Sequence, residues 1–295
     1  MKKIIKVLLA TFALAVVLVG CGGGGATEET GGTDEAGGAM DGPITVVSRE
    51  AGSGTRGAFV ELTGVEEDDN DNTTADAAIQ NSTNAVMTTV AGDPASIGYI
   101  SLGSLNDTVK AIKIDGVDIS AATVADKTYP IARPFNIVTG ETVDPVAEDF
   151  IKYILSDDGQ AIVEAEGYIK VDSTGAYAAP ATPVSGSVTV GGSSSVTPVM
   201  EKLAEGYKAV NPDANIQVSQ SDSTTGVQNA IDGVVQIGMA SRELKEDEAA
   251  QLTGTPIAMD GIAVIVNKDN AIADMTMDNV KGIYTGEIMN WEDIK

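Results

Sequence analysis

Three short segments hold the residues best suited to chemistry: Gly52-Ser53-Gly54-Thr55, Gly192-Ser193-Ser194-Ser195 and Ser223-Thr224-Thr225-Gly226. Each joins a strand-like run to a stretch with helical spacing. The first turn of a helix leaves backbone N–H groups unpaired and carries partial positive charge. Small residues let an anion approach those groups, and hydroxyls add further donors. One such loop is most often only a capped helix; three in one chain point to anion binding. Arginine sharpens the reading. The chain has four arginines, and Arg49, Arg56 and Arg242 adjoin these loops. A guanidinium offers a planar fork of donors matched to an oxyanion. Arg49 directly follows the β-branched run Ile44–Ser48 and is the best ligand of the three. Arg56 and Arg242 fit equally well as charges facing solvent.

The remaining composition removes other chemistries. There is no histidine, which excludes Ser-His-Asp and Cys-His catalysis and His-ligated metal. No metal-type cluster of carboxylates stands out either, so no enzyme activity, metal or cofactor is expected. The single cysteine, Cys21, cannot form an internal disulfide. Eighteen basic residues against 43 acidic ones give a net charge of -25. That surface repels nucleic acid and anionic lipid and favours solubility.

Positioning elements follow from periodicity. Ile44–Ser48, Ser96–Leu102, Val109–Ile114, Val188–Val190, Ile216–Ser219, Val235–Met239 and Gly261–Val266 are predicted strands, and Tyr129–Val138 is extended. Helices are predicted over Gly57–Leu62, Ala77–Val90, Pro145–Leu155, Gln160–Ala165, Thr197–Val210 and Val227–Ile231. Strand, loop and helix alternate, which predicts an α/β fold with mainly parallel strands. Residues 172–187 (DSTGAYAAPATPVSGS) form a small-residue linker.

Residues 1–21 have the form of a targeting segment. Lys2, Lys3 and Lys6 precede the 13-residue apolar run Val7–Val19, too short to span a membrane comfortably. The run ends Leu18-Val19-Gly20-Cys21, which resembles a lipobox and implies acylation of Cys21. Residues 22–41 hold almost nothing that could be buried and predict a disordered tether. A flexible stretch of that length spans roughly 25 Å.

Five segments carry a specific resemblance: VSREAGSGTRGAF, GSSSVTPVMEKLAEGY, IGMASREL, DGIAVIVN and IYTGEIMNWEDI. Together they resemble the phosphate-binding proteins of bacterial phosphate importers, over nearly everything from Gly42 onward. That resemblance implies a two-lobed, type II periplasmic-binding-protein-like α/β fold. It has mixed sheets, flanking helices and a ligand cleft between the lobes. It also implies a function: extracytoplasmic capture of inorganic phosphate for an ABC importer. The partners would be permease and ATPase subunits, with attachment to the cell membrane through lipid on Cys21. Carried over residue by residue, the anion contacts are Ser194, Ser195 and the Val196 backbone, then Ser223 and Thr225, then Ser241. Arg49, Ser53, Gly54 and Thr55 complete the set.

Two departures from the family pattern stand out. The halves are swapped, since family members reach NWEDI before REAGSGTR. The chain therefore looks circularly permuted, with residues 172–187 bridging the usual ends. Permutation is tolerated where ends lie close on exposed loops. The expected lobes are then 108–261, continuous, and 42–107 plus 262–295, split. The hinges are expected near Ser101–Gly103 and Asp260–Val264. The second departure is Ser241, where some members carry an aspartate that accepts the ligand's proton. Asp260 is the first replacement, Glu50 the second. Rival readings are a binding protein for sulfate or molybdate, and a sensor or surface scaffold on the same fold.

Overall fold

In the computed structural model, which describes residues 41–294, one strand organises the chain. Thr253–Val266 runs for 14 residues and is almost wholly buried from Ile257 onward. Its first half pairs antiparallel with Ala132–Thr139, and its second half with Ser96–Ser101. The sheet then grows in both directions. On one side lie Ile237–Ala240, Gly186–Ser193 and Ala214–Ser221. On the other lie Thr45–Arg49 and Ala78–Gln80. Strands that feed helices pair in parallel: Thr45–Arg49 with Ser96–Ser101, and Gly186–Ser193 with both Ala214–Ser221 and Ile237–Ala240. Strands that pass between lobes pair antiparallel, so the sheet is mixed. Its runs of Val and Ile suit burial on both faces, with helices packed on each.

Two large cores mark the lobes. One gathers Phe135, Phe150, Val190, Leu203, Tyr207, Ile237 and Ile257. The other gathers Phe59, Ile97, Tyr99, Ile114, Ile131, Val264, Tyr284 and Trp291. The expected boundary at residue 108 is therefore too early. Ile112, Ile114, Val124, Tyr129 and Ile131 pack with Val46 and Ile262, so residues 109–131 belong with the split lobe. The hinge moves with the boundary. Asp260 lies opposite Arg133 and Gly261 opposite Ala132, so the crossings sit at 131–133 and 260–262. Ser101–Gly103 lies beside the hinge and is not one of the crossings.

The predicted helix over Ala77–Val90 begins later than its pattern suggests. Ala78–Gln80 extends the sheet beside Thr45–Arg49, and the helix is Thr83–Gly92, capped by the Ser82 hydroxyl. Three hydrogen-bonded sheet residues outweigh a short local helix preference. The predicted strand Val109–Ile114 is split at Ile112 into two-residue pieces that serve different partners.

The first and last described segments meet. The Gly42 amide donates to Glu292 Oε2 at 2.7 Å, and the Trp291 amide to the Gly42 carbonyl at 2.9 Å. The Ile44 amide donates to Met289 O at 2.8 Å. Residues 172–185 run over the surface of the other lobe, held by the Thr174 amide on Leu155 O and by Tyr177. The Tyr177 hydroxyl donates to Asp149 Oδ2 at 2.8 Å and accepts from Asn211 at 2.6 Å. The expected targeting segment over residues 1–21, Cys21 included, and residues 22–40 lie outside the described residues, as does Lys295.

Candidate anion-binding site

Arg49 ends a buried strand, and its placement begins with aromatic packing. Phe59 and Tyr99 stack at 3.9 Å between ring centroids, with interplanar angle 9°. The Tyr99 hydroxyl then bonds Ser48 Oγ at 2.8 Å and accepts the Arg49 amide at 3.2 Å. Burial pushes that hydroxyl up to about 12, against the pull of these bonds. With its backbone fixed, the Arg49 side chain is only 2% exposed. It grips Glu50 with two bonds, Nε to Oε2 at 2.7 Å and Nη2 to Oε1 at 2.6 Å. The same Nη2 donates across the cleft to Ser194 Oγ at 3.1 Å.

Four helix starts converge at this point. Gly54–Thr63 brings Thr55, whose Oγ1 lies 2.9 Å from Ser195 Oγ. Thr83–Gly92 brings Thr83, whose Oγ1 lies 3.1 Å from Ser195 Oγ and 3.3 Å from Ser194 Oγ. Ser194 and Ser195 themselves precede the helix Thr197–Val210. Ser223–Ile231 brings Ser223, whose Oγ accepts the Ser241 amide at 3.0 Å. Ser241 Oγ in turn lies 2.9 Å from Ser193 Oγ. All these hydroxyls are buried. The summed partial charges of four helix N-termini favour a negative group there. Gly54 permits the convergence: a Cβ there would meet Ser223 Oγ and lie 2.9 Å from Ser241 Oγ.

Most of the predicted set is brought together: Arg49, Gly54, Thr55, Ser194, Ser195, Ser223 and Ser241. Ser53 is adjacent and buried, but its hydroxyl caps its own helix by accepting the Arg56 amide. Three assignments need correction. The Val196 amide already donates to Ser193 O at 3.1 Å inside a turn. Thr225 is exposed, and both its amide and its hydroxyl are taken by the helix cap Asp222, at 2.8 and 2.6 Å. Asp260 is fully buried at the hinge, where both of its oxygens are engaged. Oδ1 accepts from Ser101 Oγ at 2.9 Å and the Leu102 amide at 3.1 Å, and Oδ2 accepts from Arg133 at 3.1 and 3.3 Å. Burial raises its carboxyl to about 6, although Arg133 opposes the shift.

Sequence reasoning missed Thr83 and Arg133. Thr83 falls inside the predicted helix Ala77–Val90, and the segment before it contains no glycine and does not resemble the other three loops. Arg133 gave no signal within its extended run. It joins the hinge to the site, donating to Asp260 and, through Nη1, to Ser241 O at 3.0 Å. Arg56 and Arg242 stand away from the cluster. Arg56 binds Asp71 at 2.6 Å and the Arg49 carbonyl at 2.8 Å. Arg242 grips Glu248 with two bonds of 2.7 Å. Burial alone would raise the Glu248 carboxyl, but these bonds hold it below its ordinary range.

Comparison with known proteins agrees with this geometry. The model of the PBP superfamily domain matches residues 30–158 and 178–295. The chain is 51% identical over 260 residues to phosphate-binding protein PstS 2 of Streptococcus agalactiae, covering 86% of this chain and 88% of that one. A crystal structure of the phosphate-binding protein of a phosphate ABC transporter from Streptococcus pneumoniae superposes with TM-score 0.69. It is 44% identical and matched over its whole length, covering 86% of this chain. With phosphate-binding protein PstS of Bacillus subtilis the match is 39% identical over 113 residues, 37% of this chain and 38% of that one. The buried hydroxyl cluster between two lobes thus sits in a chain that belongs to the PBP superfamily, among its PstS-like phosphate-binding proteins.

Proposed function

We propose that this chain captures inorganic phosphate between its lobes and delivers it to the permease and ATPase subunits of an ABC importer. The observation that carries the reading is the convergence of four helix starts and Arg49 on one cluster of buried hydroxyls. Hydroxyls, amides and a guanidinium are donors that a tetrahedral oxyanion can satisfy together. Glu50 is the proposed acceptor for the ligand's proton, because it lies against Arg49 beside the hydroxyl cluster and is partly exposed, whereas Asp260 is fully buried and tied to Ser101, Leu102 and Arg133 at the hinge. A fully deprotonated oxyanion has no proton for that carboxylate, which favours phosphate over sulfate and molybdate.

The proposal extends to the chain's ends. Cys21 is the acylated mature N-terminus, and residues 22–41 tether the lobes to the outer face of the cell membrane. The half-order is a circular permutation. Support comes from the contact between Gly42 and Trp291, and from a match to the Bacillus subtilis relative that covers only 37% of this chain and 38% of that one. One preparation tests function and anchor. Calorimetry with phosphate, sulfate and molybdate should give tight binding for phosphate alone, and equal heats for the three would overturn the assignment. Cys21→Ser should move the protein out of the membrane fraction, and unchanged fractionation would remove the anchor.

A further inference from the structure

Beyond the hydroxyl cluster, the lobes touch at the cleft mouth through Gly52 and the loop before the helix Ser223–Ile231. The Thr224 amide donates across the cleft to the Gly52 carbonyl at 3.1 Å. The Asp222 carboxylate lies directly over the Gly52 α-carbon. A Cβ at residue 52 would find Asp222 Oδ1 in hard overlap, Cγ at 2.7 Å and Oδ2 at 3.3 Å, and these are its three nearest atoms. Contacts under 3 Å force a neighbour to move, and this neighbour is fixed. Asp222 caps its helix with both oxygens, holding the Thr225 amide and hydroxyl. Swinging it aside would release a helix cap.

Gly52 has no need of glycine's conformational range, since its φ lies outside the left-handed region. The glycine serves the approach of the opposite lobe. Nor is Asp222 engaged with the hydroxyl cluster by any of these bonds. Together the two residues make a contact that only a closed cleft contains.

We propose that Gly52 and Asp222 form a closure latch: a capped carboxylate seats over a bare α-carbon, so that the Thr224 amide can reach the Gly52 carbonyl. The latch positions the two lobes and touches no ligand atom. It deepens the phosphate-capture reading and rests on it for the affinity arm of the test.

The test is a cycle of four full-length proteins: wild type, Gly52→Ala, Asp222→Gly and the double variant. Glycine is chosen at 222 because it serves nearly as well as aspartate at a helix N-cap. Two readouts are taken. Hydrogen exchange without ligand reports the Thr224 amide, and calorimetry with inorganic phosphate reports affinity. Gly52→Ala should speed exchange at Thr224 and weaken phosphate binding, each roughly tenfold or more, the scale set by overpacking a fixed contact. Thermal unfolding of that variant should stay near wild type, because the clash exists only between lobes. Removing the carboxylate should rescue it, bringing the double variant to the level of Asp222→Gly alone. Wild-type exchange in Gly52→Ala, or a double variant as impaired as Gly52→Ala, overturns the latch. If wild type gives no heat with phosphate, the function reading fails, while the exchange cycle still decides the latch.

Discussion

Arg49→Ala is the sharpest single perturbation of the site. The substitution removes the guanidinium that donates to Glu50 and Ser194 at 2.6–3.1 Å. The side chain is 2% exposed and its partner Glu50 is 22% exposed. Truncating one member of a buried, hydrogen-bonded charge pair costs about 2–5 kcal/mol of binding. At 1.4 kcal/mol per decade, that is roughly 30-fold to several thousand-fold in phosphate affinity. Folding should suffer less, about 1 kcal/mol, because partial exposure lets water replace the donors Glu50 loses. Arg49→Lys should fall between, keeping the charge but losing the fork.

Arg56→Ala is the matched control. Arg56 is 17% exposed and its partner Asp71 is 29% exposed. Its side chain reaches the site through the Arg49 carbonyl. A pair near the surface such as this contributes about 1 kcal/mol or less, so phosphate affinity should change by no more than a few-fold. Calorimetry with phosphate, alongside urea unfolding of each variant, separates binding from folding. Equal losses at 49 and 56, or an Arg49→Ala protein that binds like wild type, would refute the placement of Arg49 at the anion.

Asp260 offers a pH test. Its folded carboxyl is raised from 3.8 to about 6, so its charge opposes folding fully above that pH. The cost fades as pH falls through 6 towards 4. Across the whole window the change is on the order of 3 kcal/mol. Wild type should therefore gain stability relative to Asp260→Asn as urea midpoints are followed from pH 7 down to pH 4.5. Parallel curves would mean that Arg133 outweighs burial. The permutation is tested by reversing it. A chain that starts at Ser187, joins residue 295 to Gly42 and stops at Asp172 should fold as a monomer and bind phosphate within a few-fold of the original. Obligate dimerisation, or loss of binding in a folded monomer, would refute a simple swap of ends.

Chemistry-bearing loops were legible in the sequence because their composition is local. Glycine and hydroxyls between a strand and a helix declare a helix start wherever they occur. That local signal singled out Arg49, Thr55, Ser194, Ser195 and Ser223 before any contact was known, while Ser241 came only from the family resemblance. It failed where direction mattered. Thr225 has the right type and spacing, but Asp222 turns it outward by capping. Val196 has the right position, but its amide is spent on a turn within its own loop. Neither outcome is visible without the local hydrogen bonds. Asp260 and Arg133 show a different limit. Each sits in an unremarkable extended run, and only antiparallel pairing 127 residues apart makes them a pair. The lobe boundary failed for the same reason. Residues 109–131 carry no pattern that says which core will take them.

The site also explains how a chain of charge -25 can hold an anion. Its two guanidinium charges, Arg49 and Arg133, are already matched by Glu50 and Asp260, so attraction there depends on hydroxyls and helix-terminal amides. Those dipoles act at contact distance, whereas surface charge is screened beyond about 8–10 Å in physiological salt. Long-range steering would work against capture, and affinity must come from completing the donor shell. The shell is divided: Arg49, Thr55 and Thr83 on one lobe, Ser194, Ser195, Ser223 and Ser241 on the other. Neither half can surround a tetrahedral ligand alone. Retention must therefore depend on closure, and a contact such as Gly52 with Asp222, remote from the ligand, can govern affinity as strongly as a ligating hydroxyl.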